Sequence, residues 1–400
     1  MVNVKGYGES SETMRSCHGK INILFVIMQM EMGGSERLVH NLALKLDREL
    51  FNPAVAWFFG NGILREFKEL NIPLFPVPKV KRVDFSTMQD LGNIIKNQNI
   101  HIVNAHHFMS MIYSFYGCKL KNRSKLIYTE HSEWELQNIP WKWRVIGKSL
   151  LKRTDSAVGV SDAVANRIKT TFRTDSPKIV AIQNGVDFKA FSVAFDKAKI
   201  KRSIGLSDDD RIIGNVANLK KVKNHLFLLE AFSDLLKEMS NVKLLLVGQG
   251  WESDPENSEK ELRGFVRQQG LDKSVLFLGY RSDIPELLSI MDVYCSTSFK
   301  EGLPISLIEA MAAGLPSVGT DVEGIRDVIV HERTGLIVRL SDTDGLKRAM
   351  FTLLTDSGLA KRMAIEARSV AEQKYSLEQC TKSYTDLFLR CCDIGGKRDI

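Results

Sequence analysis

Short apolar runs rich in Val, Ile and Leu recur along the chain, and between them apolar residues return every third or fourth position. In the first half the runs are INILFVIM (21–28), NPAVAWFF, HIVNAHH, KLIYTEH, SAVGV and KIVAIQNG, with helical periods such as SERLVHNLALKLDREL and VSDAVANRIKTTF among them. The second half restarts the theme with DRIIGNVA, VKLLLVG, SVLFLG, DVYCSTS, LPSVGTD and TGLIV. Strand–helix alternation of this kind predicts parallel sheets in an α/β fold. A polar stretch over roughly 188–210 separates the two series. The pattern therefore predicts two doubly wound, Rossmann-like domains facing a cleft, one over 20–190 and one over 211–375, with a linker at 191–210. Residues 1–19 are polar and aperiodic and read as a loose tail.

Composition narrows the class. At 400 residues the chain is too long for one ordinary core. Apolar content of 44% with 26% charged residues describes a soluble globular protein. No apolar run approaches the roughly eighteen residues that span a bilayer. The run at 21–28 is also too short for a signal peptide and lacks a cleavage site. The six cysteines (17, 118, 295, 380, 391 and 392) show no paired spacing, which points to a reducing cytoplasm. Neither CxxC nor HExxH occurs, so nothing advertises a metal site. A formal charge of +7 suits phosphates or an anionic membrane. Nucleic acid is not expected as a partner, since no basic helix or RNP-like aromatic motif is present.

In doubly wound sheets ligands bind beyond the C-terminal strand ends, where helix N-termini point at the crevice. Several unusual residues fall there. Gly33 and Gly34 follow the first strand, and Ser35 is placed to cap the next helix. The glycines either let a backbone approach a phosphate or simply make a tight turn, and the spacing is not that of a dinucleotide fingerprint. His131 ends the strand KLIYTEH, so its imidazole faces either the cleft or a loop partner; for His106 and His107 the loop partner is the preferred reading. Lys220, Lys221 and Lys223 crowd the start of a helix, where each opposes the helix dipole at a cost of roughly a few tenths of a kcal/mol. An anionic ligand there would reverse that sign; a solvated turn is the alternative.

The stretch STSFKEGLPISLIEAMAAGLPSV (296–318) is the most informative. Pro304 suits a first helical turn and Gly314 a stop, which predicts a helix over 304–313. Glu301 then lies just outside the helix and Glu309 inside it. Were both helical, they would stand roughly 12 Å apart along the axis. That exceeds the roughly 5 to 9.5 Å of carboxylate pairs that cleave glycosides. The two carboxylates read as grips on one extended ligand, with an anion between them at the helix tip.

At this point the residues resemble a known family. EGLPISLIEAMAAGLP is similar to the E-x7-E signature of retaining GT-B glycosyltransferases of family 4, the glycosyl transferases group 1. MGGSER, VGVSDAVANRI, QNGVD, KNHLFLLEAF, LLLVGQG, VLFLGYRSDIPELLSIMDVYCSTS and TGLIV follow in the family's order, so the resemblance spans about residues 21 to 390. It implies a GT-B fold and a nucleotide-diphosphate sugar as donor, a UDP-sugar favoured. Glu301 is expected on hydroxyls of the donor sugar and Glu309 on the ribose. Lys223 is expected on the diphosphate, where it stabilises the leaving group. The amides of Gly33 and Gly34 are expected near the phosphates or the acceptor, His131 near the reacting carbon, and Tyr280 and Arg281 around the base. Two departures stand out. Asn218 occupies the place of the family's usual arginine, a charge that Lys220 is a candidate to replace. Pro304 stands where a second glycine is usual and removes an amide donor, leaving Gly302, Leu303, Ile305 and Ser306.

The resemblance also implies retention of configuration, with the leaving diphosphate accepting the acceptor's proton, no metal or other cofactor, and a final helix (376–392, within 376–400) that crosses back to the first domain. Acceptors in the family are often glycans or lipid-linked, in surface polysaccharide or glycoconjugate synthesis. IPWKWRVIGKSLLKR (139–153) mixes two tryptophans with five basic residues. It either lies on anionic membrane, at the inner face of the cytoplasmic membrane, or packs its tryptophans on the first domain. The alternatives to a transferase are an epimerase or phosphorylase on the same fold, or a non-catalytic sugar-binding protein. No acid/base arrangement around a sugar, cofactor lysine or signal peptide supports them.

Overall fold

A computed structural model describes residues 19–31, 33–78, 84–252 and 254–393. Apart from Gly19, the tail expected over 1–19 lies outside the described residues. The first lobe is built on β1 (Ile21–Gln29), β2 (Phe51–Phe59), β3 (Leu74–Pro76), β4 (Ile102–His106), β5 (Lys125–Glu130), β6 (Ser156–Gly159) and β7 (Ile179–Ala181). These seven strands are parallel, in the order β3-β2-β1-β4-β5-β6-β7. The second lobe holds β8 (Arg211–Val216), β9 (Val242–Val247), β10 (Val275–Gly279), β11 (Val293–Ser296), β12 (Ser317–Thr320) and β13 (Leu336–Val338). Its six parallel strands run β10-β9-β8-β11-β12-β13.

The apolar runs become strands because both faces of each sheet are covered. Ile23 to Ile27 of β1 are all solvent-free, as a central parallel strand requires. The sequence pattern did not mark β3, which is three residues long and sits at the sheet edge. Prolines flank and end it, and an edge is where a strand tolerates them.

Both sheets reverse their winding beside the first strand of the lobe, between β1 and β4 and between β8 and β11. Chain leaving those strand ends rims a crevice. The helices that matter are α1 (Gly34–Lys45), α2 (Phe108–Phe115), α3 (Glu133–Gln137), α4 (Trp141–Arg153), α5 (His225–Leu236), α6 (Ile305–Ala312) and α7 (Leu377–Asp393). In α6, Leu307, Ile308, Ala310, Met311 and Ala312 are buried, and Gly314 at φ +73° ends the segment.

α7 leaves the second lobe and packs on the first, beside α1. Phe388 is fully buried there, edge-on to Phe25 at 6.3 Å and to Phe51 at 6.1 Å between ring centroids. The chain thus passes between lobes twice. The two passages are tied together: the Val186 amide donates to the Tyr375 carbonyl at 2.8 Å, and the Leu377 amide to the Val186 carbonyl at 3.0 Å. Within the polar stretch expected as linker, residues Lys197–Ser203 are helical and pack against Ile284–Ser289 of the second lobe.

Candidate active site

On the second lobe, the segments after β8 and β11 are stitched side by side. The Phe299 amide donates to the Val222 carbonyl at 2.9 Å, and Thr297 Oγ1 to the Lys223 carbonyl at 3.2 Å. This brings Lys223 Nζ to 2.7 Å from Glu301 Oε1, and Ser298 Oγ donates to the same oxygen at 2.5 Å. Ser298 is buried, and its carbonyl accepts from Thr320 Oγ1 at 2.6 Å, which anchors the loop to β12. Glu309 lies half-buried on α6; burial raises its carboxyl above the usual range, and Arg37 of the first lobe opposes the shift.

Lys220 is engaged elsewhere, its Nζ 2.5 Å from Asp254. Arg281 is paired with Asp283, Nε to Oδ1 at 2.7 Å. The Tyr280 hydroxyl is buried without a hydrogen-bond partner among the described residues. The structure therefore brings Lys223 and Glu301 into contact and keeps Tyr280 and Arg281 in a separate loop after β10.

The first lobe closes on this site. A carbon added at Gly34 would lie 3.9 Å from Ile305 Cγ1, so the first turns of α1 and α6 meet across the crevice. A Cβ at Gly302 would collide with the carbonyl oxygen of His131, which places the Glu301 loop, Leu303 and Pro304 beside the end of β5. Gly33 is the α1 N-cap in extended backbone (φ −163°), a shape any residue adopts. The lobes also touch where the Trp251 ring rests on Gly62.

His131 belongs to a group of three imidazoles, of which His106 is buried and His107 and His131 are half-buried. Its Nε2 lies 2.9 Å from His106 Nδ1, and its ring is 4.9 Å from that of His107. Burial holds His131 well below the usual histidine range, and the charges of His107 and His106 push the same way. Burial lowers His106 to about 3. His107 goes the other way: burial alone would lower it, but the Glu135 charge and hydrogen bonds to Glu130 and Glu135 carry it well above its ordinary value. Its Nδ1 is 3.1 Å from Glu135 Oε2 and 3.4 Å from Glu130 Oε1. The residue also holds φ +71°, a strained backbone for a non-glycine.

His107, Glu130 and Glu135 are the set of donor atoms, all within 4.8 Å, that would suit a cation among the described residues. His107, once protonated, already stands against both carboxylates, however. Glu130 accepts from the Tyr128 hydroxyl at 2.6 Å and the His131 amide at 2.8 Å. The set reads as an ion-paired imidazolium. Sequence reasoning set His107 aside and missed Ser298, Glu130 and Glu135; the doubled histidine at a strand end was the available signal.

A cavity of about 560 Å³ opens between the lobes. The first lobe supplies Met28, Phe59, Phe108, Trp134 and Trp143 as apolar wall and Glu36, His107 and Glu135 as polar groups. Asn218 and Lys220 close it from the second lobe, whereas Glu301 and Glu309 lie outside its lining. At the outer end, α4 divides its tryptophans. Trp143 packs toward the core, but Trp141 is 71% exposed beside Val145 at 64% and Ile146. Among the described residues no helix is long and apolar enough to cross a membrane.

Comparison with known proteins gives a consistent picture. Residues 196–370 match the model of Glycosyl transferases group 1, and residues 32–190 that of Glycosyltransferase Family 4. The chain is 26% identical over 332 residues to N-acetyl-alpha-D-glucosaminyl L-malate synthase of Bacillus anthracis, covering 80% of this chain and 83% of that one. It is 24% identical to UDP-Gal:alpha-D-GlcNAc-diphosphoundecaprenol alpha-1,3-galactosyltransferase of Escherichia coli, covering 94% of this chain and 98% of that one. Among solved structures, Anabaena HepE in complex with UDP-glucose superposes with a TM-score of 0.82 at 19% identity, covering 92% of this chain and 100% of that chain.

Proposed function

We propose that the chain, whose two halves match the models of Glycosyltransferase Family 4 and Glycosyl transferases group 1 and whose fold is GT-B, is a glycosyltransferase that moves a sugar from a UDP-sugar to a hydroxyl of a glycan or lipid-linked acceptor, with retention of configuration and without a metal. The observation that carries this reading is the meeting of Lys223 and Glu301 at the tip of α6, against the backbone of His131.

In this reading the diphosphate lies between the first turns of α1 and α6, where two helix dipoles and the Lys223 ammonium favour negative charge. Glu301 accepts hydrogen bonds from sugar hydroxyls, and Glu309 from the ribose. As the bond from the anomeric carbon to the phosphate oxygen breaks, charge develops on that oxygen, and Lys223 stabilises it. The acceptor hydroxyl attacks from the same face and gives its proton to the departing oxygen, so configuration is kept. His131 is held neutral by its burial and so serves as a hydrogen-bond partner near the sugar. Tyr280 and Arg281 flank the base. Gly33, Asn218 and Lys220, which line the cavity, serve the acceptor side of the phosphates.

The acceptor enters through the cavity. Its aromatic wall and carboxylates suit a sugar ring, which offers C–H faces to aromatics and hydroxyls to acids. The exposed apolar row of α4, set among Lys142, Arg144, Lys148, Lys152 and Arg153, suits contact with an anionic lipid surface. The Escherichia coli relative, whose name includes diphosphoundecaprenol, supports the lipid-linked choice.

The test is to incubate the protein with UDP-, GDP- and ADP-sugars and follow nucleotide diphosphate release, first slowly without acceptor and then with glycan acceptors. Release from a UDP-sugar and an unchanged anomeric configuration in the product by NMR are expected. Tight sugar binding without release from any donor would favour a non-catalytic sugar-binding protein.

A further inference from the structure

On the function proposed above, Lys223 and Glu301 serve different halves of the donor, the diphosphate and the sugar. In the structure they serve each other. Lys223 Nζ sits 2.7 Å from Glu301 Oε1, and the side chains are only 26% and 11% exposed. Ser298 Oγ occupies the same carboxylate oxygen at 2.5 Å. A diphosphate arriving alone meets an ammonium whose charge is already neutralised. Sugar hydroxyls meet a carboxylate with one oxygen doubly occupied. Neither half of the donor engages its partner fully while the pair is closed.

We propose that Lys223 and Glu301 form an exchangeable clasp that distinguishes the intact donor from spent nucleotide. The hydroxyls of a bound sugar hydrogen-bond Glu301 and replace Lys223 as its partner, and Lys223 passes to the diphosphate. Once the sugar has been transferred, Glu301 regains Lys223 and the nucleotide diphosphate leaves. Sugar and phosphate recognition are thereby coupled through one ion pair, and the coupling works in both directions. A neighbouring cation that stayed free would bind product as tightly as donor and slow its release.

The experiment is a double-mutant cycle on UDP binding by calorimetry, using the full chain, Glu301→Gln, Lys223→Ala and the double variant, with each fold checked by melting. Glu301→Gln keeps the shape and removes the competing charge, so it is expected to bind UDP about threefold to tenfold more tightly than the parent. Lys223→Ala is expected to bind UDP more weakly, and adding Glu301→Gln to it is expected to change nothing further. Unchanged or weaker UDP binding by Glu301→Gln overturns the clasp, as does a gain that persists without Lys223. If the parent binds UDP and only the gain is missing, the clasp alone fails. If the parent binds no nucleotide diphosphate, the proposed function fails and takes the clasp with it.

Discussion

At the scale of single residues, the site joins groups from six strand ends, and each should respond to substitution in its own way. Glu301→Ala removes the carboxylate expected on the sugar and its contacts with Lys223 and Ser298, but no apolar core contact. Turnover is expected to fall by about a hundredfold or more, by analogy with loss of one transition-state hydrogen bond, while the protein stays folded with at most a modest drop in melting temperature from the lost Lys223 pair. Nucleotide release assays beside a thermal melt check both halves. The histidines make a second prediction. His107 favours its charged form in the fold, so it adds stability in full below about pH 6.5, and this is lost as pH rises through its elevated folded value. His131 and His106 favour their neutral forms; their contribution is full above about pH 6.5 and fades as pH falls. Imidazole NMR should therefore find His107 holding its proton to higher pH than an ordinary imidazole, and His131 and His106 staying neutral to lower pH than one. Glu301 and Lys223 were legible in the sequence because a motif marks them. His107 was not, because its charge comes from Glu130 and Glu135, and Glu135 reaches it from a separate short helix.

At the scale of elements, position rather than chemistry decides. Gly302 leaves room for the His131 carbonyl, so Gly302→Ala would force the Glu301 loop away from β5. Turnover is expected to drop roughly tenfold to a hundredfold from an ångström-scale misplacement, with little loss of stability. Parallel turnover and melting measurements on that variant distinguish displacement from unfolding. α7 tests the opposite case. Phe388→Ala empties a solvent-free position between Phe25 and Phe51 and is expected to cost about 3–5 kcal/mol in denaturant unfolding. The helix over 305–312 was readable from Pro304 and Gly314, since proline and glycine mark helix ends by their backbones. β3 was not, because three residues are too few for a period to register. The packed alternative for 139–153 holds for Trp143 and not for Trp141, which is exposed, and apolar counting alone does not tell the two apart.

At the scale of the whole molecule, the repeated strand pattern was enough to anticipate two parallel sheets with a crevice between them. The same scale carries the membrane prediction. Replacing Lys148 with Glu on α4 is expected to weaken binding to anionic vesicles and to flatten its salt dependence, leaving binding to neutral vesicles unchanged, whereas Trp141→Ala is expected to weaken binding to both; sedimentation with the two vesicle types checks it. What no side-chain pattern conveyed is how the lobes are joined, because the tie is made of backbone amides. Val186 bonds to both Tyr375 and Leu377, so the outgoing and returning chains share one binding, like a book stitched at a single place on its spine. Sliding one cover along the other would shear those stitches, whereas swinging the covers leaves them whole. Each point then travels along an arc whose length grows with its distance from the stitching, so a few degrees of turn at Val186 and Ser376 carry the remotest edges furthest.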